Sequence, residues 1–483
     1  MPNYGGRNLF PGIGQGRGTT PPGGSESGGS FSRPTAVPPV KLKIYATGDV
    51  DQAIRDYLTQ LLLHHHSEYR RPYLSFPYGG LPTSAQNFQF LEDRSKVDQA
   101  YDFAQLANSI PHYDAQGRWN FTSNQLADQY TYWLDSFIPP PISITREEQK
   151  QLREARKYCE KHFDQYWDYR TNFYNADNEY EAWLHMPESE RPPNYEQKLR
   201  DAHAQLERAR QEWEIKGHRT EYEIQYAVME DLSRRDPALA KQVLRELMGK
   251  PIFSGRGDFY WTSLLPTSAF APDQPWLRYE LEFGTAQADA GGGSPTMALM
   301  ARRGLDESVF TVEEVALDET RITFEMVRLA IDRGWFADYL LASNAWKWVD
   351  STPPNPLGGY PLSDGEPEPR GHLVMIPREV LFIRNKQFES SGLLRSLSQR
   401  KQATGAKPDA WLSFGPFGLR APRLESAQLG LAAHERSVQS PHSNLADYSL
   451  TKSGLEAPHM EYFAFLCELL PTEPNPNWNL WPH

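Results

Sequence analysis

Apolar residues recur at every seventh position in the middle of the chain, and this periodicity constrains the fold more than any other feature. Two such rows correspond to the a and d positions of a heptad repeat on one long helix, with a histidine weakening one layer. The rows are Cys159, Tyr166, Phe173 and Tyr180, and Ala155, His162, Tyr169, Ala176 and Trp183. Thr145 and Glu148 form a capping box that predicts the start of this helix, and Pro187 predicts its end.

A second heptad helix follows a short polar turn and is predicted to begin at Asn194 and to break or bend at Gly217. A short turn between two heptad helices favours an antiparallel pair. At 1.5 Å per residue, roughly 40 helical residues would project on the order of 60 Å. Asp236 and Pro237 predict a further helix start, so residues 145–250 are interpreted as a helical hairpin with a following short helix.

The seam of this hairpin carries bulkier aromatic side chains than two packed helices need. This favours contact with a third surface, which is either the body of the same chain or another subunit. The candidate partner-binding residues are Tyr166, Phe173, Trp183 and Trp213. A solvated intrachain coiled coil and a pore-forming hairpin remain as alternatives, although no apolar tongue suited to lipid is visible. Cys159 lies in the seam and is interpreted as a small core residue.

The period of the apolar pattern changes from 3.6 to 2 after Pro251, which predicts a β-rich domain over 251–483. Strands are predicted at 258–265, 277–283, 320–331, 372–376, 380–383, 411–414 and 460–470, and a short helix at 335–342. Pro377 is expected to separate two strands, and 350–370, 390–407 and 420–457 are expected to be loops. Strands with Pro- and Gly-rich connections suggest an antiparallel sandwich or open barrel.

Two further regions precede the hairpin. Residues 1–40 are rich in Gly, Pro and Ser and are interpreted as a disordered tail, because they contain too little apolar surface to offset the entropy of ordering. Residues 41–144 are predicted to form a small mixed, mainly helical domain that ends at the Pro139–Pro141 run. The predicted fold class is therefore multidomain α+β.

The composition excludes several classes of protein but does not identify a function. The net charge of −12 argues against a generally basic nucleic-acid-binding protein, and two cysteines cannot form a four-cysteine zinc site or a disulfide framework. No phosphate-binding, dinucleotide-binding or nucleophile motif stands in a suitable context, so no cofactor is predicted. His64, His65 and His66 are adjacent, and three consecutive residues of a helix cannot chelate one ion.

A cluster near the end of one predicted strand is the strongest candidate for ligand binding. Asp332 and Arg333 would form a charge pair beside Trp335, with the guanidinium binding either an internal carboxylate or an anionic ligand. Trp346 and Trp348 would stack on a sugar or insert at a membrane interface if they were exposed, and they would be core residues if they were not.

Three hypotheses follow from these observations. The first is a non-enzymatic structural or interaction protein that uses the helical hairpin for self-assembly or for binding a protein partner. The second is a glycan- or membrane-binding effector that uses aromatics of the β-rich domain, and the third is an enzyme with a noncontiguous site. A cytoplasmic location is expected, because neither a secretory signal nor a disulfide framework is apparent.

Overall fold

The computed structural model shows a mixed α+β fold with several long helices and mainly antiparallel sheets. It describes residues 40–44, parts of 50–58, 71–77, 81–115, 117–119, 124–184, 191–271, 276–283, 296–303, 310–317, 320–353, 355, 357–404, 410–420, 448–450 and 454–481. The predicted tail at 1–39 and the histidines at 64–66 lie outside these residues.

Seven helices can be delimited among the described residues. They are α1 (Val97–Ala107), α2 (Leu126–Ser136), α3 (Arg146–Leu184), α4 (Tyr195–Ile215), α5 (Arg219–Arg235), α6 (Pro237–Met248) and α7 (Ser391–Thr404). A 3-10 helix also spans Ala85–Leu91. The predicted boundaries of the helical region are confirmed closely. Thr145 and Glu148 form the capping box before α3, and the Asp236 carboxylate accepts the Leu239 amide at 3.0 Å at the start of α6.

The strands are distributed along the whole chain. They are β1 (Val40–Ile44), β2 (Pro72–Pro77), β3 (Leu81–Thr83), β4 (Arg118–Trp119), β5 (Ile252–Ser254), β6 (Gly257–Phe259), β7 (Ser263–Leu265), β8 (Leu277–Phe283), β9 (Thr296–Arg303), β10 (Phe310–Ala316), β11 (Arg321–Asp332), β12 (Met375–Glu389), β13 (Ala410–Phe414), β14 (Phe417–Arg420), β15 (Ser449–Leu450), β16 (Leu455–Ala457) and β17 (Met460–Leu469).

The largest sheet has the order β1-β8-β11-β12-β17-β2-β4, with β3, β7, β15 and β16 paired at its margins. All of its pairs are antiparallel except β1 with β8 and β2 with β4. The segments 41–144 and 251–483, which we predicted as separate domains, thus contribute strands to one sheet. A second sheet has the order β10-β9-β13-β14, and β5 pairs with β6.

Both faces of the large sheet are covered, which is why its central strands are apolar nearly throughout. One core contains Leu381 and Phe463 of the large sheet together with Phe417 of the second sheet. The opposite face contributes Phe382 and Phe465 to another core, which also includes α1. Every residue of β17 is buried. A third core joins the helical region to the segment after β11.

Three local predictions were wrong. Residues 335–342 form turns and irregular backbone, with the Phe336 amide donating to the Arg333 carbonyl at 2.9 Å. Residues 335–341 are all buried, so their apolar side chains do not mark the one buried face of an amphipathic helix. Strand β12 continues through Pro377, with a register irregularity between Pro377 and Glu379 that accommodates the missing amide donor. The expected loop at 390–407 contains α7, in which Leu393 and Leu397 are the buried apolar side chains among those described, so its periodic pattern is weak.

Candidate functional site

The four predicted partner-binding aromatics all lie where α3 meets α4 and α5. Trp183 and Trp213 are buried, whereas Tyr166 and Phe173 are half-buried. Tyr166 stacks on Tyr222 of α5 with ring centroids 4.1 Å apart, and its hydroxyl donates a hydrogen bond to Glu223 at 3.3 Å. The structure therefore brings these aromatics together as contacts within the chain. The remaining exposure of Tyr166 and Phe173 is the part available to a partner.

Two aromatic contacts define the relative direction of α3 and α4. The Trp183 ring near the end of α3 lies 6.5 Å from the Tyr195 ring at the start of α4. The Phe173 ring lies 5.4 Å from the Trp213 ring near the end of α4. The two helices therefore run in opposite directions. The chain can turn back at Gly217 because this residue has no side chain. A Cβ atom there would lie 2.7 Å from both Trp213 Cδ1 and the Trp213 carbonyl oxygen, and 3.0 Å from the Tyr169 Cβ.

The two halves of α3 have different surroundings. Leu152, Ala155 and Cys159 lie in a large core with residues of α5 and α6, so the expectation that the full length of the helix projects was wrong for its first half. Two small clusters occur further along. They consist of Ala176, Leu206 and Ala209 with Phe173 and Tyr180 alongside, and of Trp183, Tyr195 and Ala202 with Tyr180 and Leu199 alongside. Every member of these clusters belongs to α3 or α4.

Hydrogen bonds and ion pairs fix the first turn of α3 to the carboxyl end of α5. Glu148 accepts the amide of Thr145 at 2.8 Å and also pairs with Arg235. Asp236 Oδ2 accepts the amide of Ile144 at 3.2 Å. The hydrogen bonds from Thr145, and to a smaller extent the charge of Arg235, hold the pKa of Glu148 below its usual value. The base of α3 is thus anchored by several polar contacts in addition to its apolar packing.

Cys159 behaves as the core residue that we predicted. It is fully buried, and burial raises the pKa of its thiol to about 12. A thiol with this pKa carries almost no thiolate at neutral pH and is therefore a poor nucleophile.

The second predicted cluster does not form the expected charge pair. Arg333 is buried and donates to the Ala107 carbonyl, the Pro377 carbonyl and Asn108 Oδ1, each at 2.6 Å. Its guanidinium fork is therefore occupied by backbone and amide oxygens. The expected internal carboxylate partner was wrong for this reason. Arg333 instead connects the end of α1 to the irregular part of β12.

Asp332 is the more unusual member of this cluster. It ends β11, opposite Ser263 of β7, and its Oδ1 atom is buried with no hydrogen-bond partner among the described residues. Burial, reinforced by repulsion from Asp164, raises the pKa of Asp332 to about 7, although Arg333 and Arg94 oppose the shift. A carboxyl group with this pKa is partly protonated near neutrality. Such a group is compatible with proton transfer.

The tryptophans proposed for ligand stacking are core residues. Trp346 is 0% exposed, Trp348 is 3% exposed and Trp335 is 4% exposed, so the alternative of exposed faces was wrong. Trp346 Nε1 donates to the Leu341 carbonyl at 2.8 Å. Tyr132, which is 42% exposed, covers Trp348 with ring centroids 5.7 Å apart. The aromatic surface at this place is therefore formed by residues that the sequence did not single out.

Sequence reasoning also missed two buried charge clusters in the large sheet. Arg378 of β12 pairs with Asp338 and, at 2.8 Å, with Glu468 of β17. Lys386 of β12 pairs with Glu461 of β17 at 2.7 Å, and both side chains are fully buried. The available indication was a charged residue inside an otherwise apolar strand, as in the run from Met460 to Leu470.

Comparisons with known proteins do not assign a function to this chain. No protein-family model, curated protein or solved structure matches the chain. Within the part of the chain that the structure describes, no group of His, Cys, Asp and Glu side chains could hold a metal ion. Among the same residues, no helix combines the length and apolarity needed to cross a bilayer.

Proposed function

We propose that this chain is a non-enzymatic interaction protein whose contact surface is a two-helix arm, formed by α3 and α4 and carried on a sandwich-like body. One observation supports this proposal most directly. Among the described residues, the distal parts of α3 and α4 bury their apolar side chains only against each other, in two clusters separate from the three large cores. An arm of this kind leaves most of its circumference free for a partner.

The small number of buried apolar side chains in the arm also favours packing against a second surface. Helices in water gain most of their stability from the tertiary packing of an apolar face, and each distal cluster has only three buried members. Leu184 at the end of α3 and Ile215 at the end of α4 are 39% and 73% exposed. Binding of a partner over the arm would bury these side chains and the exposed parts of Tyr166 and Phe173.

Site-specific photocrosslinking of the full chain tests this proposal. A benzophenone amino acid would replace Asn175, on the exposed side of α3, or Ile215, and the matched control position is Val349, which is 81% exposed in the body. We expect irradiation of cells to give a discrete crosslinked protein from Asn175 or Ile215 but not from Val349. Crosslinking no stronger than at Val349 from either helical position would contradict the proposal.

A second candidate function has one specific observation in its favour. Tyr132 lies beside Tyr360 with ring centroids 4.5 Å apart, and Tyr360 stacks on His372 at 3.7 Å with nearly parallel rings. A partly exposed aromatic group of this kind is suited to stacking on a sugar ring. We propose Tyr132→Ala as the test on a glycan array. Binding that the variant loses would support a carbohydrate site, and the absence of binding by the unmodified chain would exclude it.

A further inference from the structure

One position of the heptad rows in α3 is a histidine, and the fold places a second histidine against it. His162 is buried, and its ring centroid lies 4.1 Å from that of His218, which directly precedes α5. The Tyr158 ring also contacts the His162 ring, with centroids 4.5 Å apart, and Gln165 Oε1 lies 3.1 Å from His162 Nδ1. The histidine that weakens an apolar layer of the seam therefore takes part in a direct contact between α3 and the start of α5.

The backbone at His218 links this contact to the position of α4. His218 has φ 53° and ψ 34°, a left-handed conformation that a residue other than glycine keeps only where its surroundings fix it. Gly217, the residue before it, has no room for a side chain next to Trp213 of α4. Residues 216–218 therefore connect α4 to α5 in a conformation that depends on packing against α3.

The cost of protonating His218 depends on whether the two rings are in contact. Burial lowers the pKa of His218, and the charges of His162 and Lys161 on α3 lower it further. When the junction moves away from α3, the His218 ring enters water and these repulsions weaken, so the open form binds a proton more readily. The closed contact thus keeps its full stability above the ordinary histidine pKa of about 6.5 and loses stability as the pH falls below it.

The neighbouring charges at the junction belong to ion pairs of their own or act elsewhere. Lys216, just after α4, pairs with Glu212 at 2.7 Å, and Arg219 at the start of α5 pairs with Glu223 at 3.2 Å. The charge of Glu221 acts on a tyrosine of α3. Histidine is the side chain whose ordinary pKa lies between about pH 5 and pH 8, so mild acidification acts on this junction through the histidine contact.

We propose that the contact between His162 and His218 is a pH-sensitive latch for the two-helix arm. At neutral pH it holds the junction of α4 and α5 against α3, and in acid it releases the end of α4. Release changes the contact surface, because Trp213 at that end packs against Phe173 and Tyr166 with ring centroids 5.4 Å and 5.7 Å away. The latch rests on the proposed function of the arm and adds its regulation. The closed arm is the form in which this aromatic surface is assembled, so acidification is expected to release a bound partner.

Hydrogen exchange at individual amides of the full chain tests the latch without a partner. The amides of Gly217 and Tyr222 report on the junction, because they donate to the carbonyls of Glu212 at 3.1 Å and His218 at 2.8 Å. Their protection would be corrected for the intrinsic exchange rate at each pH. We expect it to fall at least about threefold between about pH 7.5 and about pH 5, which lie on either side of the ordinary histidine pKa.

Two variants and one matched control identify the group responsible. His218→Asn removes the titrating ring and keeps the junction, because asparagine tolerates the left-handed conformation, so its protection should hardly change with pH. His162→Phe places an uncharged ring in the seam and should weaken the pH dependence. The control His203→Asn makes the same change at an exposed position of α4 and should keep the full pH dependence. An unmodified chain equally protected at both pH values, or an unchanged pH dependence in either folded variant, would overturn the latch.

The outcome is separable from that of the crosslinking experiment. Hydrogen exchange measures the junction in the isolated chain, so it decides the latch whether or not a partner is found. Crosslinking from Asn175 in cell extracts at the two pH values then tests the regulation. A product that is lost in acid, but persists in acid when His218→Asn is also present, supports it, and a product equally strong at both pH values overturns it. The absence of any product contradicts the proposed function alone.

Discussion

The Lys386–Glu461 pair gives the sharpest prediction about stability. Lys386 Nζ lies 2.7 Å from Glu461 Oε2, and both side chains are 0% exposed. The amide of Gly418, in the second sheet, donates to Glu461 Oε1 at 3.2 Å, so the pair also connects the two sheets. Removing one member deprives the other buried charge of its main partner, which typically costs about 3–5 kcal/mol. We expect this loss for Lys386→Met and for Glu461→Leu.

The two single variants are not expected to be additive. Lys386→Met/Glu461→Leu removes both charges and fills the space with apolar atoms, so its loss should be below about 2 kcal/mol. Equilibrium urea unfolding followed by tryptophan fluorescence would measure all three variants. A double variant that loses as much as the sum of the single variants would refute the reasoning, because it would show that the buried charges are not coupled.

The pH dependence provides an independent check on the same pair. Lys386 and hydrogen bonding from His459 hold the pKa of Glu461 below its usual value despite burial. In Lys386→Met the main cation is gone, so burial should raise the pKa of the folded carboxyl above that of the unfolded chain. The variant would then bind a proton more readily when folded, and its stability would fall as the pH rises. A deficit that does not shrink on acidification would contradict this account.

Three further predictions concern the helical region and the end of β11. Gly217→Ala should lower the free energy of unfolding by about 1–3 kcal/mol, because its Cβ would lie 2.7 Å from Trp213 Cδ1; unchanged urea unfolding would contradict the packing. Asp332 has its pKa raised from 3.8 to about 7, so the folded chain loses up to about 4 kcal/mol as the pH rises through this window. Asp332→Asn should therefore increase the melting temperature at pH 8 but not at pH 4, and an equal effect at both would refute the shift. Cys159 and Cys467 are buried and should not react with Ellman's reagent at pH 8 until the chain unfolds.

The helical region could be predicted well from the sequence, because the signals for its helices come from residues that are close together in the chain. The Thr145–Glu148 capping box, the heptad rows and the Asp236–Pro237 start depend on residues within a few turns of one another. The break at Gly217 was also predicted, although its cause, the proximity of Trp213 and Tyr169, appears only in the folded chain. Local patterns likewise identified most of β8, β11 and β17.

The sheet and the sites depend on residues that are far apart in sequence. Strand β2 pairs with β17 almost 400 residues later, and no periodic pattern encodes that partnership. Trp346 is fully buried because Trp133 and Phe137 of α2 pack against it, with ring centroids 5.8 Å and 6.1 Å away. The guanidinium of Arg333 likewise binds oxygens of Ala107 and Asn108 from a distant helix. The exposure of these side chains and the identity of their contact partners therefore could not be predicted from the sequence.

The same distinction explains why α3 is the best place to look for function. Its inner face satisfies the rules of packing, because Cys159 and Trp183 are buried and Tyr166 stacks on Tyr222. Its distal half is different, because the apolar clusters described there contain residues of α3 and α4 alone. A helix pair with so little apolar burial of its own gains stability when a further surface packs against it, and for this reason we propose it as the contact surface.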